Sequence, residues 1–160
     1  MGVSGAGKTT LGLALAEALG WRFYEGDDFH PSANVAKMAA GIPLTDADRA
    51  PWLEALAALI GRTLAAGERM VLACSSLREQ YREVLAAPAA AEPGALRFVY
   101  LKLASELARA RVAGRAEHFM PPVLIESQYA TLEEPSEALV LDARLPVQEL
   151  VRETREAFRL

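Results

Sequence analysis

Gly2-Val3-Ser4-Gly5-Ala6-Gly7-Lys8-Thr9 is the stretch that decides the fold. Its spacing, G-x-x-x-x-G-K-[ST], is that of a P-loop, which wraps an oligophosphate in backbone N–H groups. The glycines permit the tight turn that aims those amides inward. Lys8 has the reach for the outer phosphates, and the Thr9 hydroxyl is a ligand for Mg²⁺. Thr10 completes the set of nucleotide contacts at the start of a helix, whose positive end faces the same charge.

Working outward from the loop, apolar residues at Leu11, Leu13, Ala14, Leu15, Ala18 and Leu19 predict a helix closed by Gly20. Trp21–Glu25 reads as a strand, and Asn34–Ala40 as a short helix. Asp46 is the expected cap of a long helix running to Gly67. Met70–Cys74 is a continuous apolar run, the pattern of a strand buried on both faces. A helix over Leu77–Ala87, an alanine- and proline-rich connector over 86–94 and a strand over Phe98–Leu101 follow. Helices over Glu106–Val112 and from Pro121 to about Leu132, a strand over Ala138–Leu141 and a closing helix over Val147–Phe158 complete the chain. Strands alternating with helices predict an α/β domain, a parallel sheet with helices on both faces. The whole of 1–160 reads as a single domain, with a helical acceptor region about 30–66 and a lid about 111–122.

Composition narrows the partners. The 160 residues carry a net charge of −4, which argues against nucleic-acid binding by bulk electrostatics. A single cysteine, Cys74, excludes an internal disulfide and fits a reducing compartment. No apolar run approaches the length of a membrane span, and no signal peptide is visible. A cytoplasmic location is expected.

Two further constellations carry chemistry. Glu25-Gly26-Asp27-Asp28 stands at the carboxyl end of a strand, where parallel sheets bind ligands. Alternation puts Glu25 and Asp27 on one face, so one carboxylate can organise Mg²⁺ while another accepts a proton from an attacking hydroxyl. Asp27 is the first choice for that base and Asp28 the second. Arg109, Arg111, Arg115 and His118 form a cationic segment before a double proline, suited to closing over phosphates. Cys74 has no histidine at a spacing that would make it a nucleophile and reads as a small buried residue.

Together these residues resemble the small P-loop gluconate kinases. The resemblance runs through the P-loop, Glu25-Gly26-Asp27-Asp28-Phe29-His30-Pro31, Asn34, Lys37-Met38 and Gly41-Ile42-Pro43-Leu44-Thr45-Asp46. It continues in Asp48-Arg49, Pro51-Trp52-Leu53, Ala73-Cys74-Ser75-Ser76-Leu77, Tyr81-Arg82 and Tyr100-Leu101-Lys102. Arg115, His118-Phe119-Met120, Ser127-Gln128 and Leu132-Glu133 with Pro135 complete it. It implies a P-loop NTPase fold of the nucleoside-monophosphate and shikimate kinase type. It also implies transfer of phosphate from ATP, with Mg²⁺, to the C6 hydroxyl of D-gluconate, and a homodimer as the form of self-association. Lys8, Asp27, Asp28 and Arg115 are then the catalytic candidates, and Arg111 and Arg115 join the loop around the nucleotide. Thr9 and Glu25 are the metal candidates. Asp27, His30, Lys37, Arg49, Ser75, Arg82 and His118 are candidates for binding the acceptor. Arg49 suits a bidentate carboxylate contact or an ion pair with Asp46 or Asp48; Arg82 suits gluconate, phosphate or a structural carboxylate. Other small-molecule P-loop kinases (shikimate, adenylylsulfate or nucleotide type) share the loop and the acidic strand end, and a non-catalytic nucleotide binder shares the loop.

Such loops follow a central buried strand, and here Met1 alone precedes the motif. About five buried apolar residues are worth on the order of 10 kcal/mol. The expectation is that Met1 is an internal methionine with residues upstream. In the chain as it stands, a sheet with an open central lane, a poorly anchored loop and weak activity are expected.

Overall fold

A computed structural model describes residues 1–114 and 123–160. Helix α1 (Lys8–Leu19) leaves the glycine loop directly and is followed by strand β1 (Arg22–Glu25). A 3-10 turn over Gly26–Phe29 leads into α2 (Ser32–Ala39) and α3 (Asp46–Ala65). Then come β2 (Met70–Ala73), α4 (Glu79–Ala86), β3 (Val99–Lys102), α5 (Ser105–Ala113), α6 (Val123–Thr131), β4 (Leu139–Asp142) and α7 (Val147–Phe158). The connector expected over 86–94 contains a further 3-10 turn, Ala87–Ala89.

Local chemistry accounts for the element ends. Gly20 closes α1 in the left-handed region at φ 66°, and Trp21 N–H returns to the Ala16 carbonyl at 2.9 Å. Thr45, not Asp46, caps α3. Asp48 N–H donates to Thr45 Oγ1 (3.2 Å) while Thr45 N–H donates to Asp48 Oδ2 (2.9 Å), a reciprocal box worth about 1 kcal/mol. Leu13, one of the apolar residues that predict α1, is exposed; Leu11, Gly12, Leu15 and Ala16 form the buried stripe.

Alternation along β2 puts a core on each side of it. Val71 packs into a cluster with Val3, Leu11, Leu15, Leu101, Ile125 and Leu150. Met70 and Leu72 point the other way, to a cluster built on Trp52, Leu56, Ile60, Tyr81 and Leu85. Helices therefore cover both faces, as the continuous apolar run over Met70–Cys74 predicts. A third, smaller cluster joins Met38, Leu44 and Leu124.

The strands pair in parallel but in two separate couples. β1 lies against β2 with Glu25 opposite Ala73, and β3 against β4 with Lys102 opposite Asp142. Between β2 and β3 runs a cleft of about 560 Å³, lined by Leu72, Ala73, Leu85, Val99 and Leu101 among others. This is the central lane that the sequence predicts to be open. Met1 and Gly2 stand at its end and bridge it. Gly2 N–H donates to Ser75 O (3.1 Å), Leu101 N–H donates to Met1 O (3.0 Å), and the Met1 amine donates to Val99 O. Burial, and after it the Lys8 charge, lowers that amine to about 5. The loop expected to be poorly anchored is thus tied by backbone bonds to the ends of both strand pairs. Among the described residues no helix is long and apolar enough to cross a membrane.

Gly26, where β1 turns into the 3-10 segment, approaches β2 so closely that a Cβ would lie 2.6 Å from the Ala73 carbonyl oxygen. Gly26→Ala must push the turn off the strand. A strained insertion of this kind costs about 2 kcal/mol, which lowers Tm by roughly 4–8 °C in a chain of this size. Thermal unfolding followed by circular dichroism measures this, and an unchanged Tm would mean that the contact relaxes freely.

Candidate active site

The loop closes on itself before α1 begins. Gly7 takes φ 94°, a left-handed value that suits glycine, and no atom lies within 4 Å of where its Cβ would be. That open space is what close approach of a phosphate requires. Lys8 Nζ donates to the Val3 carbonyl at 3.2 Å, so the ammonium arches over the loop. A cavity of about 290 Å³ opens here, bounded by Ser4, Gly5 and Gly7 through Thr10 on one side and by Glu25 and Asp27 on the other.

The acidic side of the cavity is assembled by the end of β1. Thr9 Oγ1 donates to Glu25 Oε2 at 2.6 Å, so the two metal candidates meet in the folded chain. β1 stops at Glu25, and it is the 3-10 turn, not strand alternation, that brings Asp27 to the same cavity. Asp28, one residue on, is exposed and is not part of the lining. The hydroxyl and carboxylate oxygens present are hard donors of the kind Mg²⁺ takes. Among the described residues no group of three or more His, Cys, Asp or Glu is placed to hold a metal ion.

Beyond Asp27 the acceptor candidates form one polar cluster. His30 stacks on the buried Trp52 ring, with centroids 4.3 Å apart and planes 13° from parallel. Trp52 Nε1 is held by the Gly26 carbonyl at 2.7 Å, so the platform is locked to the turn that carries Asp27. Burial lowers the His30 pKa, opposed by the Asp27 charge and aided by that of Arg49, so all three feel one another. Asn34, buried in α2, donates to the Asp48 carbonyl at 2.7 Å and lies 3.4 Å from His30 Nδ1. Lys37 pairs with Asp48 at 2.6 Å; this bond, followed by those from Thr45, holds the Asp48 carboxyl down at about 2. Arg49 is fixed by Leu44 O (2.6 Å) and by Tyr81 (3.3 Å to its hydroxyl), with Asp46 at 3.8 Å. Tyr81 donates in turn to Asp46, which lowers the Asp46 pKa, and burial raises that of Tyr81.

Comparison with known proteins decides which P-loop kinases the chain joins. A family model described as an AAA domain matches residues 1–135. The gluconokinase of Gluconobacter oxydans is 47% identical over 137 residues, covering 86% of this chain and 75% of that protein. The Arabidopsis thaliana gluconokinase is 46% identical over 142 residues, covering 83% and 75%. The crystal structure of a gluconokinase from Sinorhizobium meliloti superposes with TM-score 0.83 at 43% identity, covering 99% of this chain and 89% of that one. The chain belongs to the gluconokinase family.

The other candidate positions in this gluconokinase-family fold have the following surroundings. Arg82, a candidate for the acceptor, is bonded to three backbone carbonyls. It is 9% exposed, and its Nη1 donates to the carbonyls of Ser76, Leu77 and Glu133 at 3.0–3.3 Å, tying α4 to the segment after α6. Ser75 is half-buried and its carbonyl anchors Gly2. Arg111 spans the nucleotide loop and the loop after β4, donating to Gly5 O (3.3 Å) and Ala143 O (3.0 Å). Arg109 instead pairs with Glu126 at 3.0 Å. Cys74 is buried, accepts from Ser76 Oγ at 3.1 Å, and burial raises its thiol pKa, which suits a packing role. Arg115 and His118, with most of the lid expected over 111–122, lie outside the described residues.

Sequence reasoning gave no role to Trp52, Asn34, Tyr81 or Gln128. A signal was present for Asn34, which stands four residues after His30 and is a polar residue on the buried side of α2. For Gln128 the resemblance through Ser127-Gln128 marks the position but not its partner, Ser4, which is 124 residues away.

Proposed function

We infer that the protein transfers the terminal phosphoryl group of ATP to the C6 hydroxyl of D-gluconate, giving 6-phospho-D-gluconate and ADP. One observation carries this reading in a gluconokinase-family chain. Asp27 borders the phosphate cavity, and its turn is locked to a polar cluster of His30, Lys37 and Arg49, whose cations are Lys37 and Arg49. A small polyhydroxy acid with its carboxylate on that cluster can direct its far hydroxyl towards Asp27.

In this reading the loop N–H groups and Lys8 hold the β- and γ-phosphates and take up charge as the bond to the leaving ADP lengthens. Asp27 accepts the proton of the C6 hydroxyl as its oxygen attacks the γ-phosphorus, and Asp28 is the alternative base. Thr9 and Glu25 are the residues that would hold Mg²⁺, which when bound neutralises phosphate oxygens. Arg111 already reaches the loop, Arg115 joins it in the closure that excludes water, and His118 is a contact for the acceptor. The net charge of −4 supports a small-molecule acceptor over nucleic acid. A homodimer and a cytoplasmic location are part of the same proposal.

The test is coupled ADP release with a panel of acceptors. Gluconate should support turnover, and shikimate, adenylylsulfate and nucleoside monophosphates should not. Arg49→Ala removes a charge-assisted carboxylate contact, so the gluconate KM should rise roughly 10- to 100-fold with little change in that for ATP. Equal effects on both substrates would place Arg49 elsewhere in the mechanism. Turnover with another acceptor of the panel, and none with gluconate, would overturn the assignment.

A further inference from the structure

Helix α6 touches three parts of the molecule that must act together. Ile125 is fully buried in the core beside Val3, Ala108 and Val112. Leu124 packs with Met38 and Leu44, the residues that close α2 and precede the α3 cap on the acceptor side. Gln128, one turn further along, meets the nucleotide loop. Its Oε1 accepts from the Ser4 backbone N–H at 2.7 Å, and its Nε2 donates to Ser4 Oγ at 3.1 Å. The helix is pinned again by the Tyr129 hydroxyl, which donates to the Leu103 carbonyl at 2.7 Å.

A carboxamide that both donates to and accepts from one residue fixes that residue's position and orientation, as a single bond would not. Ser4 is buried, so its amide cannot turn to bulk water without moving the loop. We propose that Gln128 is a positioning residue of the nucleotide loop, holding the Val3–Ser4 turn in the form that binds phosphate, with α6 as its rigid support. The same helix carries Leu124 against the acceptor region, so its placement sets loop and acceptor pocket in register. The acceptor side of this inference rests on the function proposed above; the nucleotide side does not.

Gln128→Ala is the test, read first by calorimetric binding of ATP with Mg²⁺ in the absence of any acceptor. Loss of a two-bond clamp on a buried amide should weaken ATP binding roughly five- to tenfold. Where the parent turns over gluconate, the ATP KM should rise by the same factor, the gluconate KM should stay within twofold and Tm within about 2 °C. Ser4→Ala, which removes the Oγ–Nε2 contact and keeps the amide bond, should cost less. Gln128→Ala added to it should still weaken ATP binding, because the amide bond remains to be lost. ATP affinity within twofold of the parent overturns the proposal. So does a fall in Tm with both substrate constants rising together, which marks general loosening. A parent inactive on gluconate overturns only the acceptor assignment, since the binding measurement stands without it.

Discussion

Replacing Lys8 by alanine is expected to lower kcat by at least 10²–10³-fold while leaving the fold intact, the range seen when one preorganised charge is removed from a transition state. The side chain is half-buried, and its one described hydrogen bond is to the Val3 carbonyl of its own loop. Its removal therefore leaves no buried partner unsatisfied, because the Val3 carbonyl still accepts from the Ala6 N–H at 3.2 Å. Lys8→Arg should not restore activity, because a broad planar fork does not fit where a compact ammonium arches over a tight loop. Steady-state kinetics alongside circular dichroism measure both halves of the expectation. Wild-type turnover in Lys8→Ala would remove the loop from the mechanism.

Asp27→Asn carries the second large effect. As general base, Asp27 should be worth about 10²–10⁴ in kcat, whereas Asp28→Asn should cost less than about fivefold. The difference follows from placement, since Asp27 borders the phosphate cavity and Asp28 is exposed beyond it. Equal, small losses in the two variants would sink the general-base role. A large loss confined to Asp28→Asn would reverse the assignment.

What could be read from the chain alone divides by distance along it. The P-loop, the helix it feeds and the acidic end of β1 lie within 28 residues, and local patterns specify them. Element types were legible throughout because glycine stops and apolar runs are local signals. The cap of α3 was misplaced by one residue because Thr45 is completed by Asp48, where a capping box usually carries Glu or Gln. Leu13 adds to the helical pattern of α1 yet lies exposed, because alanines all round the helix blur its apolar stripe and position, not residue type, decides burial. The partners of Arg82 were not legible, since its three carbonyls come from the segment between β2 and α4 and from one 51 residues on. The Gln128–Ser4 clamp belongs to the same class, in that only the folded topology brings its members together.

The split between the two strand pairs has a consequence for how the molecule holds together. One core cluster joins both pairs, since Val71 of β2 packs there with Val99 and Leu101 of β3 and with Leu139 and Leu141 of β4; the cluster on the other face joins Met70 and Leu72 to Phe98, just before β3. Side chains therefore couple the two pairs where no ladder bond does. Further links are α1, packed across β1, β2 and α7, and the backbone bonds of Met1 and Gly2. The phosphate loop thus lies on the join between the two pairs. A ligand that holds this loop in shape therefore stabilises the whole fold by mass action.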